Sequence, residues 1–354
     1  MAEWLDLCAD IGAAHNLDEL AQTASLIPLR ASAAAEASEP DAGAVTSVSQ
    51  ITTNISALND QVTARAMQMV AEQREVDLER ACWLVFGSQA RAEQTLATDQ
   101  DNGLVFLPAA GADAETERPY WMDFGRRVNE ALARCGYPLC DGRVMAGQPL
   151  CCLTTDEWCR RFEHWMGHGS GNDLIAARIY FDVRPLAGNL ELAQPLMALL
   201  RSPAVARPRF IKQLADIVLC RPAPLNWLGQ VVTATLAGRA VFDLKTGGTA
   251  LFVDAARLWA FAHRLEPLGT VPRLLAAAHA MRVPAQEAQS WCDGFLALQR
   301  LRLQCQRELI TGADPQERTR VAWDALSLAQ RQQLKQALRA ARVVQQRIEL
   351  DYCR

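Results

Sequence analysis

The sequence lacks several features that define large classes of proteins. Its 354 residues contain no run of five or more lysines and arginines, and the net charge is -4. General nucleic-acid-binding proteins usually have a basic face, so we do not expect a nucleic-acid partner. No apolar stretch is long enough to span a bilayer, which argues against a membrane protein. The first twenty residues contain acids and no long apolar core, unlike a signal peptide, and we therefore expect a cytoplasmic protein.

The paired Cys-x-x-Cys spacings of structural zinc sites are also missing, although the chain has eleven cysteines. Scattered cysteines in a long chain are more typical of reduced thiols than of a disulfide framework. His164 and His168 are four residues apart and lie near Cys159, but we interpret this segment as a packed helix. The length suits two domains with an additional helical segment.

The first part of the chain has helical patterns. Residues 1–50 are predicted to form an N-terminal helical segment, which ends in a flexible or weakly helical linker over residues 31–50. A clearer helix begins at Ile51, because apolar residues recur there at three- and four-residue steps. These residues are Ile55, Leu58, Val62, Ala66 and Met69.

The middle of the chain alternates strand and helix patterns. Short apolar runs predict strands over residues 81–87, 102–108 and 177–188, and helical stretches separate the second from the third. After Leu190 no further strand pattern is found. Helices are predicted from Pro284, at a first helical position, and from Ser327, which forms a capping-box pair with Gln330. The fold class is α+β, with a small mixed-sheet domain over residues 51–190 and an all-helical bundle over residues 191–354.

The stretch "GSQARAEQTLATDQDN", from Gly87 to Asn102, carries the chemistry. Asp99 and Asp101 precede the second strand, and their spacing of two directs both carboxylates to one side. Such a pair predicts a site of hard oxygen ligands for Mg²⁺ or Mn²⁺, because a cation would remove the repulsion between them. Upstream, Gly87 and Ser88 form a small turn between a strand and a predicted helix over residues 89–96. Backbone N–H groups there could approach a phosphate, aided by the helix N-terminus.

Further charged side chains complete the candidate site. Arg91 could reach the same phosphates, and Glu93 could orient Arg91 or the turn. Asp182, predicted on the third strand with Tyr180 and Arg184 on its face, offers a third carboxylate, and its alternative is an ion pair with Arg178 or Arg184. The roles of three other residues stay open. Lys245 contacts a phosphate or an acceptor, or is an exposed loop lysine, whereas Arg300 and Arg302 contact a ligand or form a solvated stripe.

The Gly-Ser turn followed by Asp-x-Asp resembles the signature of the polymerase-beta-like nucleotidyltransferase superfamily. The full stretch resembles one branch, the signal-transduction nucleotidyltransferases often found behind cyclic-nucleotide-binding and CBS-pair domains. That branch is related to the PII uridylyltransferase and the glutamine-synthetase adenylyltransferase. The resemblance extends over roughly residues 51–354 through "CDGRVMAGQPL", "IYFDVRPLAGNLEL", "FDLKTGGTALFVDAARLWAF" and "LALQRLRLQCQ".

This resemblance implies a role for each matching residue. Gly87 and Ser88 would contact the triphosphate, and Asp99, Asp101 and Asp182 would bind the metal and be catalytic. The turn departs from the Gly-Ser-Glu-Gly-Arg of the branch, since Gln89 and Ala90 replace Glu-Gly.

The implied enzyme is a metal-dependent nucleotidyltransferase, uridylyltransferase-like or adenylyltransferase-like. It would move a nucleoside monophosphate from a nucleoside triphosphate (NTP) to a protein or small-molecule acceptor in signalling or metabolic regulation, with Mg²⁺ or Mn²⁺ as cofactor. A separate sensor protein or a homo-oligomer is a candidate partner, because we expect a short helical segment in place of the sensor domains usual in this branch. The alternative function is a non-catalytic nucleotide-binding regulatory module, which would not need two metal-binding aspartates.

Overall fold

The structure, a computed structural model, describes residues 2–36, 44–307 and 319–353. The helices are α1 (Ala2–Ala13), α2 (Leu17–Ala24), α3 (Leu26–Glu36), α4 (Ala44–Arg74), α5 (Gly87–Ala90), α6 (Ala114–Arg134), α7 (Thr155–His168), α8 (Gly171–Ala177), α9 (Gln194–Arg201), α10 (Pro208–Leu219), α11 (Ala250–Ala262), α12 (Thr270–Ala280), α13 (Ala285–Arg307) and α14 (Leu328–Tyr352). The strands are β1 (Ala81–Phe86), β2 (Asn102–Phe106), β3 (Cys152–Leu153), β4 (Val183–Gly188), β5 (Ala234–Leu236), β6 (Arg239–Asp243) and β7 (Arg320–Ala322).

The N-terminal helices pack around the long helix α4. Helices α1, α2 and α3 all contact α4, and α3 also contacts α13. The apolar face predicted for α4 is confirmed, since Ile55, Leu58, Val62, Ala66 and Met69 are all buried. Where the sequence predicted a linker, residues 31–36 belong to α3 and residues 44–50 to α4, while residues 37–43 lie outside the described residues. The described parts of the predicted linker are therefore helical.

A four-stranded mixed sheet forms the core of the middle region. Its order is β3-β2-β1-β4, with β1 antiparallel to both β2 and β4, and β2 parallel to β3. Every residue of β1 is buried, as its continuous apolar run predicted. Helix α7 packs on the sheet through Trp158, whose indole N–H donates to the carbonyl of Leu104 at 3.1 Å. The α+β class with N-terminal helices is confirmed.

The third predicted strand is shorter than expected. Residues 171–177 form α8, and β4 begins only at Val183. A capping box between Ser170 and Asp173 begins α8. After the helix, backbone hydrogen bonds within residues 177–182 hold the chain in tight turns. Asp182 therefore lies just before the strand rather than within it, and the alternation that placed it on a face with Tyr180 and Arg184 does not apply.

The C-terminal region contains more than helices. Helices α13 and α14 begin near the predicted positions, and the capping box of Ser327 and Gln330 is present. The same region also has a three-stranded antiparallel sheet of order β5-β6-β7, so the prediction of an all-helical bundle is wrong there. These strands are short and β5 is exposed, so they have no buried alternating pattern. Within the described residues, no helix has the length and apolar character needed to cross a membrane.

Candidate functional site

The Gly87–Asn102 stretch forms one wall of a cavity of about 250 Å³. The other walls come from the chain just after α8, from the chain after α10, from a π-helical turn over Lys245–Thr249, and from α11 and α13. The middle and C-terminal regions of the chain thus line the cavity together. Its charged lining residues are Arg91, Glu93, Asp99, Asp101, Arg178, Arg221, Lys245, Asp254, Arg257 and Arg302.

Gly87 has a conformation and a setting that require glycine. Its φ is +57°, in the left-handed region that side chains disfavour. A Cβ atom at this position would lie 3.3 Å from Cγ1 of Ile179 and 3.4 Å from Oδ2 of Asp101. The Gly87 N–H donates to the carbonyl of Asp182 at 3.0 Å, and Ser88 follows on the cavity wall.

The helix after this turn is shorter than predicted. Helix α5 is a single turn that ends at Ala90, and Ala92 adopts a left-handed φ of +57°. The sequence predicted a helix to residue 96 whose N-terminus would assist phosphate binding. One helical turn has little macrodipole, so that assistance is not available here.

Asp99 and Asp101 lie together, as their spacing predicted. One carboxylate oxygen of each and the Cys140 sulfur all lie within 4.8 Å of one another. Asp99 is exposed, whereas Asp101 is half-buried and accepts a hydrogen bond from the Cys140 thiol at 3.4 Å. Burial and the charge of Asp99 raise the pKa of Asp101 to about 8. A divalent cation would reverse this shift, because it favours the ionised carboxylates.

This cluster fits a hard divalent cation through its oxygens. Carboxylates are the ligands that Mg²⁺ and Mn²⁺ prefer. Cys140 is a softer donor, and burial, together with the charge of Asp101, raises the pKa of its thiol to about 11. The thiol therefore keeps its proton at neutral pH and donates to Asp101. No signal in the sequence connected Cys140 with the two aspartates.

Asp182 does not lie in this cluster. It is fully buried, and its Oδ2 accepts from the guanidinium groups of Arg91 and Arg257, each at 2.6 Å. Its Oδ1 accepts from Arg273 at 2.5 Å. Burial opposes ionisation, but these three arginines outweigh it and hold the pKa of Asp182 well below its usual range.

The structure thus differs from the expected role of Asp182 as a third metal ligand. Within the described residues, the one group of acids, cysteines or histidines spaced to hold a metal is Asp99, Asp101 and Cys140. The alternative partners Arg178 and Arg184 are not those that Asp182 contacts either. Arg257 and Arg273 lie on α11 and α12, far along the chain, and no local pattern pointed to them.

Arg91 and Glu93 contact each other as one unit. The Arg91 Nε donates to Glu93 at 2.8 Å, so Glu93 orients the guanidinium that also contacts Asp182. Glu93 is buried, and it accepts from the hydroxyl of Thr270 at 2.9 Å and from the Thr270 backbone N–H. Because Thr270 begins α12, this contact joins the Gly87–Asn102 stretch to the C-terminal helices.

Two further cations reach the cavity. The Lys245 ammonium lies 4.0 Å from a carboxylate oxygen of Asp99, so this lysine is at the site. Arg302 is buried at the cavity wall, donates to Gln299 and Thr95, and has a buried Nε without a partner. Burial lowers the pKa of Arg302 to about 10. Arg300 does not line this cavity and borders a small one elsewhere.

Six cationic side chains line the cavity against four acidic ones. That excess suits a polyanionic ligand that arrives with a cation, such as an NTP.

Comparison with family models also indicates a protein that binds an NTP. Residues 39–172 match the family described as "Putative nucleotidyltransferase DUF294". Residues 208–352 match the family described as "Putative nucleotidyltransferase substrate binding domain". Both matches support a nucleotidyltransferase family for this chain. It matches no curated protein.

The two matched regions meet at the cavity. The first contains the Gly-Ser turn and the aspartate pair, and the second contains Arg221, Lys245 and Arg257. Nucleotidyltransferases use an NTP and divalent metal ions, which agrees with the donor set of Asp99 and Asp101. The expected boundaries after residues 50 and 190 remain predictions.

Proposed function

We propose that this chain is a metal-dependent nucleotidyltransferase that moves a nucleoside monophosphate from an NTP to a protein or small-molecule acceptor. The supporting observation is the aspartate pair beside the Gly-Ser turn in a cavity with an excess of cations. Its expected specificity is uridylyltransferase-like or adenylyltransferase-like, and its role lies in signalling or metabolic regulation.

In this proposal each side chain has a definite task. Asp99 and Asp101 hold Mg²⁺ or Mn²⁺, which supplies charge neutralisation at the α-phosphate when it is bound. Gly87 and Ser88 hold the triphosphate through backbone N–H groups and the Ser88 hydroxyl. An acceptor hydroxyl attacks the α-phosphorus and releases its proton to solvent. The bond between the α-phosphorus and the oxygen that bridges to the β-phosphorus breaks, and that oxygen leaves as part of pyrophosphate. Lys245 neutralises charge on the side of Asp99.

Asp182 has a positioning task instead of a metal-binding one. Its carbonyl fixes the Gly87 N–H, and its carboxylate fixes Arg91 and Arg257 at the cavity wall. An acid whose oxygens contact three guanidinium groups is kept ionised and held in place. We therefore assign Asp182 to the support of the phosphate-binding wall.

The test is transfer of label from each NTP. The full chain is incubated in cell lysate with each α-labelled NTP and Mg²⁺ or Mn²⁺, and labelled protein, small molecule and RNA are separated. We expect a labelled protein or small molecule with wild type, and none with Asp99→Asn. Asp10→Asn, an exposed residue of α1, removes the same charge as a matched control. Metal-dependent nucleotide binding with no labelled product would instead support the regulatory module.

A further inference from the structure

Two arginines in the cavity differ from the other cations that line it. Arg91 and Arg257 contact carboxylates, Lys245 lies near Asp99, and Arg302 donates to two neutral side chains. In the described part of the chain, no carboxylate forms an ion pair with Arg178 or Arg221. Both side chains are half-buried and line the cavity.

Arg178 and Arg221 line the same cavity. Burial lowers the pKa of Arg178, Asp254 opposes this effect, and the charges of Arg221 and Arg257 lower it further. Asp254 offsets part of this repulsion without forming an ion pair with Arg178, and an anion bound in the cavity would offset more of it. The arrangement therefore suits an anionic ligand.

The backbone places both arginines firmly. Arg178 directly follows α8, and the next residue, Ile179, lies against the position of the Gly87 turn. Arg221 follows α10, and its carbonyl accepts from the buried side chain of Gln345 at 2.8 Å. Arg178 thus borders the phosphate turn, whereas Arg221 approaches the same place from the C-terminal region.

We propose that Arg178 and Arg221 form a phosphate subsite that takes the terminal phosphates of the NTP. The subsite rests on the proposed function and adds to it, because triphosphate binding then requires both regions of the chain. A Cβ atom on Gly87 would meet both Ile179, the residue after Arg178, and Asp101, so the arginine subsite and the aspartate pair both border the turn. In this proposal the α-phosphate lies at Asp99 and Asp101, and the terminal phosphates lie at the two arginines of the same cavity. Arginine suits this task because its planar fork can donate two hydrogen bonds to one phosphate.

The test measures binding without transfer. The full chain is titrated by calorimetry in Mg²⁺ with inorganic tripolyphosphate, which has no base, and with orthophosphate. We expect Arg178→Gln and Arg221→Gln each to weaken tripolyphosphate binding about tenfold or more, because each loses a charge-assisted contact. Arg201→Gln, an exposed arginine of α9 outside this cavity, is the matched control and should bind as wild type does.

The outcomes separate this inference from the proposed function. The subsite is overturned if both glutamine variants bind tripolyphosphate with wild-type affinity, or if wild type does not bind it. In either case, NTP transfer by the wild-type protein would leave the proposed function intact. Melting curves check folding, and Arg221→Gln alone decides the matter if Arg178→Gln unfolds early. A non-transferable NTP analogue gives a second readout. The variants should bind this analogue more weakly than wild type does, but should bind a nucleoside monophosphate with wild-type affinity. A loss confined to the affinity for the acceptor would place the arginines at the acceptor instead, and would overturn the inference.

Discussion

The substitution Asp101→Asn tests whether repulsion within the aspartate pair destabilises the folded protein when no metal is bound. Burial and the charge of Asp99 raise the pKa of Asp101 from 3.8 to about 8. Between those pH values the folded chain keeps a proton that the unfolded chain has released. The free energy of unfolding should therefore fall as the pH rises from about 4 to about 8, and stay level above that.

The magnitude follows from the size of the pKa shift. Each pKa unit corresponds to about 1.4 kcal/mol, so the full shift would cost roughly 6 kcal/mol if the carboxyl stayed rigidly buried. Asp101 is only half-buried and Asp99 beside it is exposed, so solvent screens much of this repulsion. We expect Asp101→Asn to be more stable than wild type by about 1–2 kcal/mol at pH 8 in chelator, with a smaller difference at pH 5.

The assay is thermal melting from pH 5 to pH 9, in chelator and then with Mg²⁺ and nucleotide. Ligand that binds only the folded chain should raise the melting temperature of wild type, whereas Asp101→Asn should lose this gain and its transferase activity. Asp10→Asn controls for the change in net charge. If Asp101→Asn melts markedly lower in chelator and still responds to metal, Asp101 is a structural residue and our reasoning about the site is wrong.

Three further predictions concern neighbouring residues. Ser88→Ala should weaken triphosphate binding in calorimetry with little change in melting, and unchanged affinity would place the phosphate turn elsewhere. Asp182→Asn should lower the free energy of unfolding in urea by about 3–5 kcal/mol, because it removes the anion that three buried guanidinium groups share. Arg91 and Arg257 keep Glu93 and Asp254 as partners, whereas Arg273 loses its carboxylate; wild-type stability would contradict the anchoring role of Asp182. Lys245→Gln should reduce transfer about tenfold or more without changing the melting temperature, because the lysine charge that neutralises the triphosphate is lost. Full activity would mean that Lys245 is an exposed loop lysine with no role in transfer.

Local patterns in the sequence predicted much of the fold. The buried face of α4, the strand β1 and the capping box of α14 each depend on residues a few positions apart, so periodicity and capping chemistry suffice to find them. The start of β4 was missed, because the apolar residues after Ala177 fit a buried turn as well as a strand. The C-terminal sheet was missed because its strands are short and have little buried pattern.

The candidate site divides in the same way. The Gly-Ser turn and the aspartate pair lie in one short stretch, Gly87–Asn102, so the sequence by itself determined their types, their order and the spacing that brings both carboxylates together. The partners of Asp182 and of Asp101 were decided only by the tertiary structure, since Arg257 and Arg273 are 75 and 91 residues from Asp182, and Cys140 is 39 residues from Asp101. Charge interaction and desolvation depend on distance in space and on burial, neither of which sequence separation measures. For that reason one aspartate with a strongly raised pKa and another with a strongly lowered one could not be told apart before the chain was folded.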